Sequence, residues 1–329
     1  MHLVTGGLGF IGSGLVKALV ARGEKVRSFD NSSRGSLEKL GDAASSVEII
    51  EGDIRDRVKV REAMKGVDCV WHLAFVNGTE YFYKYPAYVL DVGVKGMVNV
   101  LDASLAEGVK EFILASSSEA YQTPPMVPTP EDVPLIVPDV FNPRYSYGGG
   151  KLISELMAVN YGRDKFERMM IFRPHNVYGP AMGFEHVIPQ FIARLRELKA
   201  AGASDFPIQG DGMQTRAFIY IQDFVEGLMR MAEKGEHLNV YHVGTMEEVT
   251  VRDLALAVAR SMGMQITVVP GEAAVGGTLR RCPDIAKLQS LGFAPKFSLE
   301  EGLKPTVEWY VHHEVPSKQS RPEPTLYLD

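Results

Sequence analysis

The sequence predicts an α/β fold built on a doubly wound, parallel sheet, because short β-branched runs alternate with amphipathic helical patterns through its first half. Crossovers between parallel strands are right-handed, and this handedness places helices on both faces of such a sheet. A glycine-rich turn directly after the first run supports the same fold. Six runs have strand character: His2–Thr5, Lys25–Phe29, Val47–Ile50, Cys69–Leu73, Phe112–Ser116 and Met169–Phe172.

The turn after the first strand holds Gly6, Gly9 and Gly12, spaced three apart and followed by an amphipathic helix. Glycine is needed there because the turn requires open φ/ψ space and a pyrophosphate must approach the backbone closely. The helix amino terminus adds free N–H groups and a partial positive charge. This strand–turn–helix arrangement predicts a dinucleotide site of the Rossmann type, and a simple tight turn is the less favoured interpretation.

Acidic residues follow the second and third predicted strands. Asp30 ends the second strand, where a carboxylate accepts hydrogen bonds from the adenosine ribose and repels a 2′-phosphate. NAD is therefore favoured over NADP, although the nearby Arg34 weakens that preference. Asp53 and Ile54, after the third strand, are expected to hold the edge and the face of the adenine ring.

Two connections later in the first half differ in character. Residues 90–107 carry apolar side chains at three- and four-residue steps, which predicts a helix. Seven prolines between Gln122 and Arg144 instead predict an extended loop, because proline removes backbone donors and fixes φ. This loop is either a stiff scaffold or a wall of the active site.

Polar residues stand at the end of the fifth predicted strand, on the side where open α/β sheets bind ligands. The Ser117 hydroxyl can donate a hydrogen bond to a reacting oxygen. A desolvated Glu119 carboxylate can act as acid or base on the carbon next to a ketone. The alternative is that the serines cap the junction between strand and loop and that Glu119 is solvated.

Tyr147 and Lys151 are four residues apart and therefore share one face of a predicted helix. A free phenol titrates near 10, and an adjacent ammonium is expected to lower its pKa so that a phenolate is accessible. The pair predicts proton removal from an alcohol during hydride transfer; a purely structural pair is the alternative. Gly148–Gly150 cost about 0.5–1 kcal/mol each in a helix, so either a neighbour approaches closely there or the helix is loose.

Composition excludes several other classes of function. The net charge of −6 argues against nucleic-acid binding, which favours clustered basic residues. Apolar stretches are far shorter than the roughly 18 residues that span a bilayer, and no signal-peptide pattern is visible, so a cytoplasmic location is expected. Two cysteines, Cys69 and Cys282, and eight histidines without ligand spacing predict no disulfide framework and no metal site.

The regular alternation becomes looser after about residue 180, which predicts a second, smaller lobe. Residues 1–179 form the predicted dinucleotide-binding domain, to which the chain returns at about 218–243. Residues 180–217 and 244–315 form a mostly carboxy-terminal substrate-binding lobe. The polar, proline-containing segment 316–329 is expected to be loosely held.

Several motifs are specific when taken together: TGGLGFIG, FDNSSRG, EGDIRD, WHLA, SSSEAY, YGGGK, RPHNVYGP, GDGMQTRAFIYIQD and RRCPDIAKLQSLGFAP. With them, the chain resembles the extended short-chain dehydrogenase/reductases that act on nucleotide-sugars, the epimerase/dehydratase group. The resemblance covers nearly the whole length, from residue 1 to about 310.

The resemblance implies roles for individual residues. Ser117, Tyr147 and Lys151 match the family's catalytic set, and Glu119 matches the C5 base of the dehydratases. The implied substrate-binding residues are Ser118, Asn176 for the diphosphate, and a phosphate clamp of Arg216 with Arg280 or, preferably, Arg281. The implied NAD-binding residues are Gly6, Gly9, Phe10, Ile11, Gly12, Asp30, Asn31, Asp53, Ile54, Leu73, Ala74, Tyr147 and Lys151.

Four positions depart from the family pattern. Gly93 stands where many members have Asn, and Phe75 replaces an alanine after WHLA. Ala217 replaces an acid after the clamp arginine, and Gln122 replaces the usual glycine after SSSEAY. The core chemistry is expected to survive these changes, whereas the fit of the sugar is expected to differ.

The resemblance implies a nucleotide-sugar epimerase that works through a transient 4-keto sugar, with the hydride abstracted and returned by bound NAD. A 4,6-dehydratase that uses Glu119 as the C5 base is the main alternative. A UDP-glucuronate decarboxylase, an NADPH-dependent reductase and a non-catalytic nucleotide-sensing protein are less favoured. A nucleotide-diphosphate sugar is the expected ligand, and a homodimer is the expected assembly.

Overall fold

The computed structural model describes residues 1–272, 279–313 and 324–327. Its strands are β1 (His2–Thr5), β2 (Val26–Asp30), β3 (Val47–Glu51), β4 (Cys69–His72), β5 (Glu111–Ala115), β6 (Arg168–Pro174), β7 (Val177–Tyr178), β8 (Asp205–Ile208), β9 (Thr215–Ala217), β10 (Ile219–Tyr220), β11 (Asn239–Val243), β12 (Glu248–Thr250), β13 (Thr267–Pro270) and β14 (Arg280–Arg281).

The α-helices are α1 (Phe10–Ala21), α2 (Arg57–Met64), α3 (Thr79–Lys84), α4 (Pro86–Leu90), α5 (Gly96–Ala106), α6 (Tyr145–Gly162), α7 (Val187–Ala200), α8 (Ile221–Lys234), α9 (Val251–Ser261), α10 (Ala286–Ser290) and α11 (Leu299–His312). Two 3-10 segments, Leu37–Ser46 and Ser118–Tyr121, and one π-helical turn, Asp91–Lys95, complete the helical parts of the described chain.

Seven strands form the main sheet in the order β11-β6-β5-β4-β1-β2-β3, with every neighbouring pair parallel. The predicted doubly wound fold is therefore confirmed, and the six predicted strands correspond to β1–β6. The central residues of β1 and β4–β6 are nearly inaccessible to solvent, as in Val4, Trp71 and Phe172, whereas the edge strand β3 is partly exposed. Such continuous burial is expected for parallel strands, because helices cover both faces of the sheet.

Two apolar clusters fill the space between sheet and helices. One contains Met97, Leu101 and Phe112, and the other contains Leu15, Trp71 and Phe224. Residues on alternate faces of neighbouring strands contribute to different clusters, because successive strand side chains point to opposite faces. The sheet edge that carries the carboxyl ends of β1, β2, β4 and β5 is thus held from both sides.

A third apolar cluster belongs to a smaller lobe made mainly of α7, α9 and α11 with the two-stranded sheet β8–β13. It includes Phe206, Leu254 and Leu303, all of them buried. Between the lobe's parts, the chain returns to the main sheet as β11, which pairs with β6. No helix within the described residues combines the length and the apolar character that crossing a bilayer requires.

Part of the carboxy-terminal segment is described, and it contacts the sheet domain. The backbone N–H of Tyr327 donates to Asp91 Oδ2 at 3.0 Å, and the Tyr327 ring lies 4.5 Å from the Arg55 guanidinium carbon. Residues 324–327 are therefore docked, whereas the sequence suggested a loose segment. Residues 314–323 and 328–329 of the predicted tail lie outside the described residues.

The helix predicted over residues 90–107 is divided in the structure. The π-helical turn Asp91–Lys95 joins α4 to α5, so the helical periodicity changes at Gly93. Such insertions are frequent at functional sites. The proline-rich stretch contains no helix or strand between residues 123 and 144 apart from an isolated bridge from Thr129 to Pro283, in agreement with the predicted loop.

A buried ion pair joins α6 to β6 behind the sheet edge. The Arg173 guanidinium donates to both Glu155 oxygens, at 2.8 and 2.6 Å, and also hydrogen-bonds the Tyr121 hydroxyl. Glu155 accepts a further hydrogen bond from Ser116. Both charged side chains are at most 8% exposed, so water cannot take the place of either partner in the ion pair. The pair fixes α6 against the strand end that carries the serines.

Replacing Arg173 by Met is expected to lower the free energy of unfolding by about 3–5 kcal/mol, because Glu155 is left as an uncompensated buried charge. The double variant Arg173→Met/Glu155→Leu is expected to recover part of this loss. Chemical denaturation measures the free energy of unfolding of both variants. Arg260→Met, which removes the exposed pair with Glu300, is the control and is expected to cost less than about 1 kcal/mol. Equal losses at the two sites would contradict this account.

Candidate active site

A cavity of about 620 Å³ lies at the carboxyl ends of the central strands. Loops after β1, β2, β4 and β5 line it from the sheet domain, and residues of the lobe such as Arg281 line it from the other side. The predicted site residues that line it are Gly6, Gly9, Phe10, Ile11, Gly12, Asp30, Asn31, Asp53, Ile54, Leu73, Ala74, Ser117, Ser118, Glu119, Tyr147, Lys151, Asn176 and Arg281.

The glycine turn at one end of the cavity leaves no room for side chains. Gly6 has φ of +71°, a conformation that favours glycine. A Cβ on Gly12 would lie 2.0 Å from the Gly6 carbonyl oxygen. The amino terminus of α1 follows at once, with Gly9 as its N-cap residue. This backbone cradle fits the pyrophosphate of a dinucleotide.

Two carboxylates mark the predicted adenosine end. Asp30 accepts hydrogen bonds from the backbone N–H groups of Leu8 and Ser32, and burial raises the pKa of its carboxyl. Asp53 forms a two-fold contact with the Arg55 guanidinium, at 2.9 and 2.8 Å. Burial alone would raise the pKa of Asp53, but the hydrogen bonds from Arg55 lower it. Sequence reasoning missed Arg55, which orients this carboxylate.

The catalytic candidate Tyr147 lies on the first turn of α6 and is only 7% exposed. Burial raises the pKa of its phenol to about 12, against the opposing effect of a hydrogen bond with Ser117. The expectation that the pKa of this phenol is lowered by Lys151 is wrong, because burial dominates. Spacing brings the two residues to one helix face, but it does not include the cost of removing both from water.

The Lys151 ammonium has two close contacts, a backbone carbonyl oxygen and an aromatic ring. Its Nζ donates to the Ala115 carbonyl oxygen at 2.7 Å and lies 3.9 Å from the centroid of the Phe75 ring, compared with 5.9 Å from that of Tyr147. Burial lowers the pKa of Lys151 to about 7, while Glu155 acts in the opposite direction. The charge of this lysine is therefore sensitive to pH near neutrality.

Ser117 serves two purposes in the structure. Its Oγ accepts a hydrogen bond from the Glu119 backbone N–H at 3.1 Å and so caps the 3-10 turn Ser118–Tyr121. Its hydroxyl also interacts with the Tyr147 phenol. The capping interpretation and the catalytic one are thus compatible, because a hydroxyl has one donor and two acceptor positions.

Glu119 is paired rather than solvated. Its carboxylate forms an ion pair with Arg281 from β14. Burial would raise the pKa of Glu119, but Arg281 lowers it, with smaller contributions from Arg144 and Arg216. The group is therefore an anion at neutral pH and a weaker base than an unpaired buried carboxylate.

The predicted diphosphate clamp is partly assembled. Arg281 on β14 is the register partner of Arg216 on β9, so the two guanidinium groups belong to adjacent strands. Arg216 is not among the cavity-lining residues; burial and the like charge of Arg281 lower its pKa to about 10. Arg280 instead forms an exposed ion pair with Glu248. Asn176 has φ of +39° and donates to the Ala217 carbonyl at 3.1 Å.

The glycine run in α6 accommodates protein neighbours. A Cβ on Gly148 would lie 2.3 Å from the Gln122 amide nitrogen, and a Cβ on Gly150 would lie 3.1 Å from the Phe75 ring. A Cβ on Gly93 would approach the same ring to 2.3 Å. The unusual side chains at positions 75 and 122 therefore fit because facing positions lack side chains. Sequence reasoning noted these departures separately and missed that they compensate each other.

The family model described as "NAD dependent epimerase/dehydratase family" matches residues 2–244. One curated relative, a dTDP-4-dehydro-6-deoxy-D-allose reductase of Streptomyces bikiniensis, is 32% identical over 94% of this chain and 96% of its own length. One similar solved structure is a UDP-N-acetylglucosamine 4-epimerase of Methanobrevibacter ruminantium, with a TM-score of 0.84 and 28% identity over 94% of this chain and 97% of the other. Another is the dTDP-glucose 4,6-dehydratase DesIV of Streptomyces venezuelae, with a TM-score of 0.83 and 29% identity over 94% of this chain and 96% of the other.

The matched segment includes the glycine turn, the serine turn after β5 and the Tyr147–Lys151 pair, all of which line the one cavity described above. The chain therefore belongs to the NAD dependent epimerase/dehydratase family, and it is an enzyme with NAD as its cofactor.

Proposed function

We propose that this enzyme is a nucleotide-sugar epimerase that oxidises the C4 hydroxyl of the sugar to a transient ketone and reduces it on the opposite face. The observation that carries the proposal is the convergence of Ser117, Tyr147 and Lys151 on the cavity that also contains the glycine turn. Similarity to a 4-epimerase structure over most of the chain supports it.

The residues of the chain have separate tasks in this reaction. Tyr147 takes the proton from the sugar hydroxyl and later returns one, and the Ser117 hydroxyl donates to the reacting oxygen. The chemistry that NAD supplies when bound is acceptance and return of the hydride. Because burial raises the pKa of Tyr147, activation requires positive charge near the phenol, and Lys151 is the adjacent cationic side chain of α6.

The diphosphate of the substrate has candidate partners at the lobe side of the cavity. Arg281 is a guanidinium within that lining, and Arg216 lies beside it in the sheet register. Arg281 forms an ion pair with Glu119, so a diphosphate would compete with this carboxylate for the guanidinium. Asn176 supplies an amide at the same wall.

The choice of epimerase over dehydratase follows from the state of Glu119. A C5 base must remove a proton from carbon, and the ion pair with Arg281 weakens Glu119 for that task. A 4,6-dehydratase remains the second candidate, because Glu119 lines the cavity as a carboxylate and a dehydratase structure is also similar.

Tyr147→Phe is expected to lower kcat by about 10²–10⁴-fold, because the proton acceptor is removed while the shape of the ring is kept. NAD bound per chain is expected to stay unchanged. The value of kcat is measured by chromatography of reactions with UDP-, GDP-, dTDP- and CDP-sugars. Tyr145→Phe is the matched control, since its position is outside the cavity lining, and it should retain activity. Near-normal turnover by Tyr147→Phe would remove the assignment.

Glu119→Gln is expected to slow a 4-epimerase by less than about tenfold but to abolish a dehydratase, because only the latter needs a C5 base. Wild-type reactions run in heavy water distinguish the two directly. An isomer without deuterium and without loss of water supports epimerisation. A product that has lost water and gained deuterium would replace the epimerase by the dehydratase.

We also propose that the protein is a homodimer formed through α4 and α6. Leu90, Ile153 and Leu156 are exposed apolar residues there, and Leu90 lies near Gly150 of α6. Contiguous exposed apolar side chains of this kind favour protein contacts.

Leu156→Glu is expected to convert the dimer to a monomer in sedimentation equilibrium at micromolar concentration, because it buries a charge in the proposed interface. Val58→Glu, at an exposed apolar residue of α2, is the control and should leave the mass unchanged. A wild-type protein that is monomeric at these concentrations would contradict the proposal.

A further inference from the structure

The Lys151 ammonium has an unusual set of neighbours for a buried cation. Its side chain is 3% exposed, yet no salt bridge to it is present among the described residues. Its direct contacts are the Ala115 carbonyl oxygen, at 2.7 Å from Nζ, and the face of the Phe75 ring, 3.9 Å from Nζ to the centroid. A cation within about 6 Å of an aromatic ring face is attracted by the ring quadrupole.

The ring of Phe75 occupies space that two glycines leave free. A Cβ at Gly93 would lie 2.3 Å from the end of the ring, and one at Gly150 would lie 3.1 Å from it. Gly93 stands in the π-helical turn, and Gly150 directly precedes Lys151 in α6. The position of the ring is thus set by two separate elements that meet beside the lysine.

The same ring also contacts the other member of the catalytic pair. Phe75 meets Tyr147 edge to face, with 5.3 Å between centroids. Phe82 contacts Tyr147 as well: the two rings stack with 4.8 Å between their centroids. Among the described residues, the rings that lie close to the Lys151 ammonium are those of Phe75 and Tyr147, and not that of Phe82. Phe82 therefore offers a matched control with the same aromatic chemistry.

We propose that Phe75 is a positioning residue for the reaction, which holds the Lys151 ammonium by its ring face and keeps it charged where a carboxylate would otherwise be required. The inference deepens the proposed function, since it assigns a role to a residue that acts through Lys151. Burial favours the neutral amine, and the ring opposes that tendency without adding a competing negative charge.

The titratable groups around the Lys151 ammonium do not stabilise its positive charge by direct contact. On α6, Glu155 attracts the cation but is itself paired with Arg173, and burial raises the pKa of Tyr147, so its phenol is neutral near neutral pH. From β4, His72 faces the lysine; burial lowers its pKa to about 3, so it stays uncharged near neutrality. On the π-helical turn, Asp91 is paired with Arg55 and Lys95.

The direct test is a pH titration of Lys151 in the NAD-bound enzyme without substrate. The ¹³Cε resonance of labelled lysine reports the titration, and Lys151→Met identifies the signal. Phe75→Leu is expected to lower the pKa of Lys151 by about one unit, because the charged form loses the ring. Phe82→Leu is expected to leave it unchanged. An unchanged titration in Phe75→Leu, or equal shifts in the two variants, would overturn the proposal.

Two further measurements keep the test decisive. If Phe75→Leu does not fold, Phe75→Met retains an apolar chain of similar volume and is expected to give the same shift. The alkaline limb of the pH profile of kcat/KM is expected to move to lower pH by the same amount, because the charged ammonium of Lys151 loses its proton as pH rises. A shifted titration with an unmoved limb would overturn the role of Phe75 in the reaction. A shifted titration without any nucleotide-sugar turnover would instead contradict the proposed function and leave the effect of Phe75 on the Lys151 charge supported.

Discussion

The removal of Tyr147 and Lys151 from water is the constraint on which the site depends. Burial is the main cause that moves both groups toward their neutral forms: the pKa of the phenol is raised to about 12 and that of the amine is lowered to about 7. The phenol is therefore protonated near neutral pH unless positive charge lies close to it. Charge must be kept or added next to it, and the arrangement of Phe75, Ser117 and Glu155 around the pair acts on that charge.

Close approach of backbone and ring determines which side chains this site tolerates. Phe75 fits because Gly93 and Gly150 have no Cβ, and Gln122 fits because Gly148 has none. The glycines cost helix stability, but they permit the loop after β4 and the turn after β5 to pack directly on α6. Changes at these positions are thus coupled, because a single substitution of Gly93 by Asn, the commoner family residue, would meet the Phe75 ring.

The sequence was sufficient to predict the fold and to place Tyr147 and Lys151 on one helix that lines the cavity, because these signals are local. Strand periodicity, the Gly6–Gly12 turn and the spacing of Tyr147 and Lys151 each lie within one segment of chain. The ionisation of the pair could not be predicted in this way, since desolvation depends on distant residues. The contact between Phe75 and Lys151 was missed for the same reason: it joins the loop after β4 to α6, and these two elements are far apart in sequence.

The central claim is that the enzyme oxidises and then reduces the same sugar carbon in one cavity, with bound NAD as the hydride carrier and Tyr147 as the proton acceptor and donor. The most direct measurement uses a nucleotide-sugar that carries deuterium at C4, followed by mass spectrometry and NMR of the product. The account predicts a C4-inverted isomer that retains the deuterium at C4, because the abstracted hydride is returned to the carbon it left. Loss of this deuterium to solvent, or turnover without inversion at C4, would contradict it.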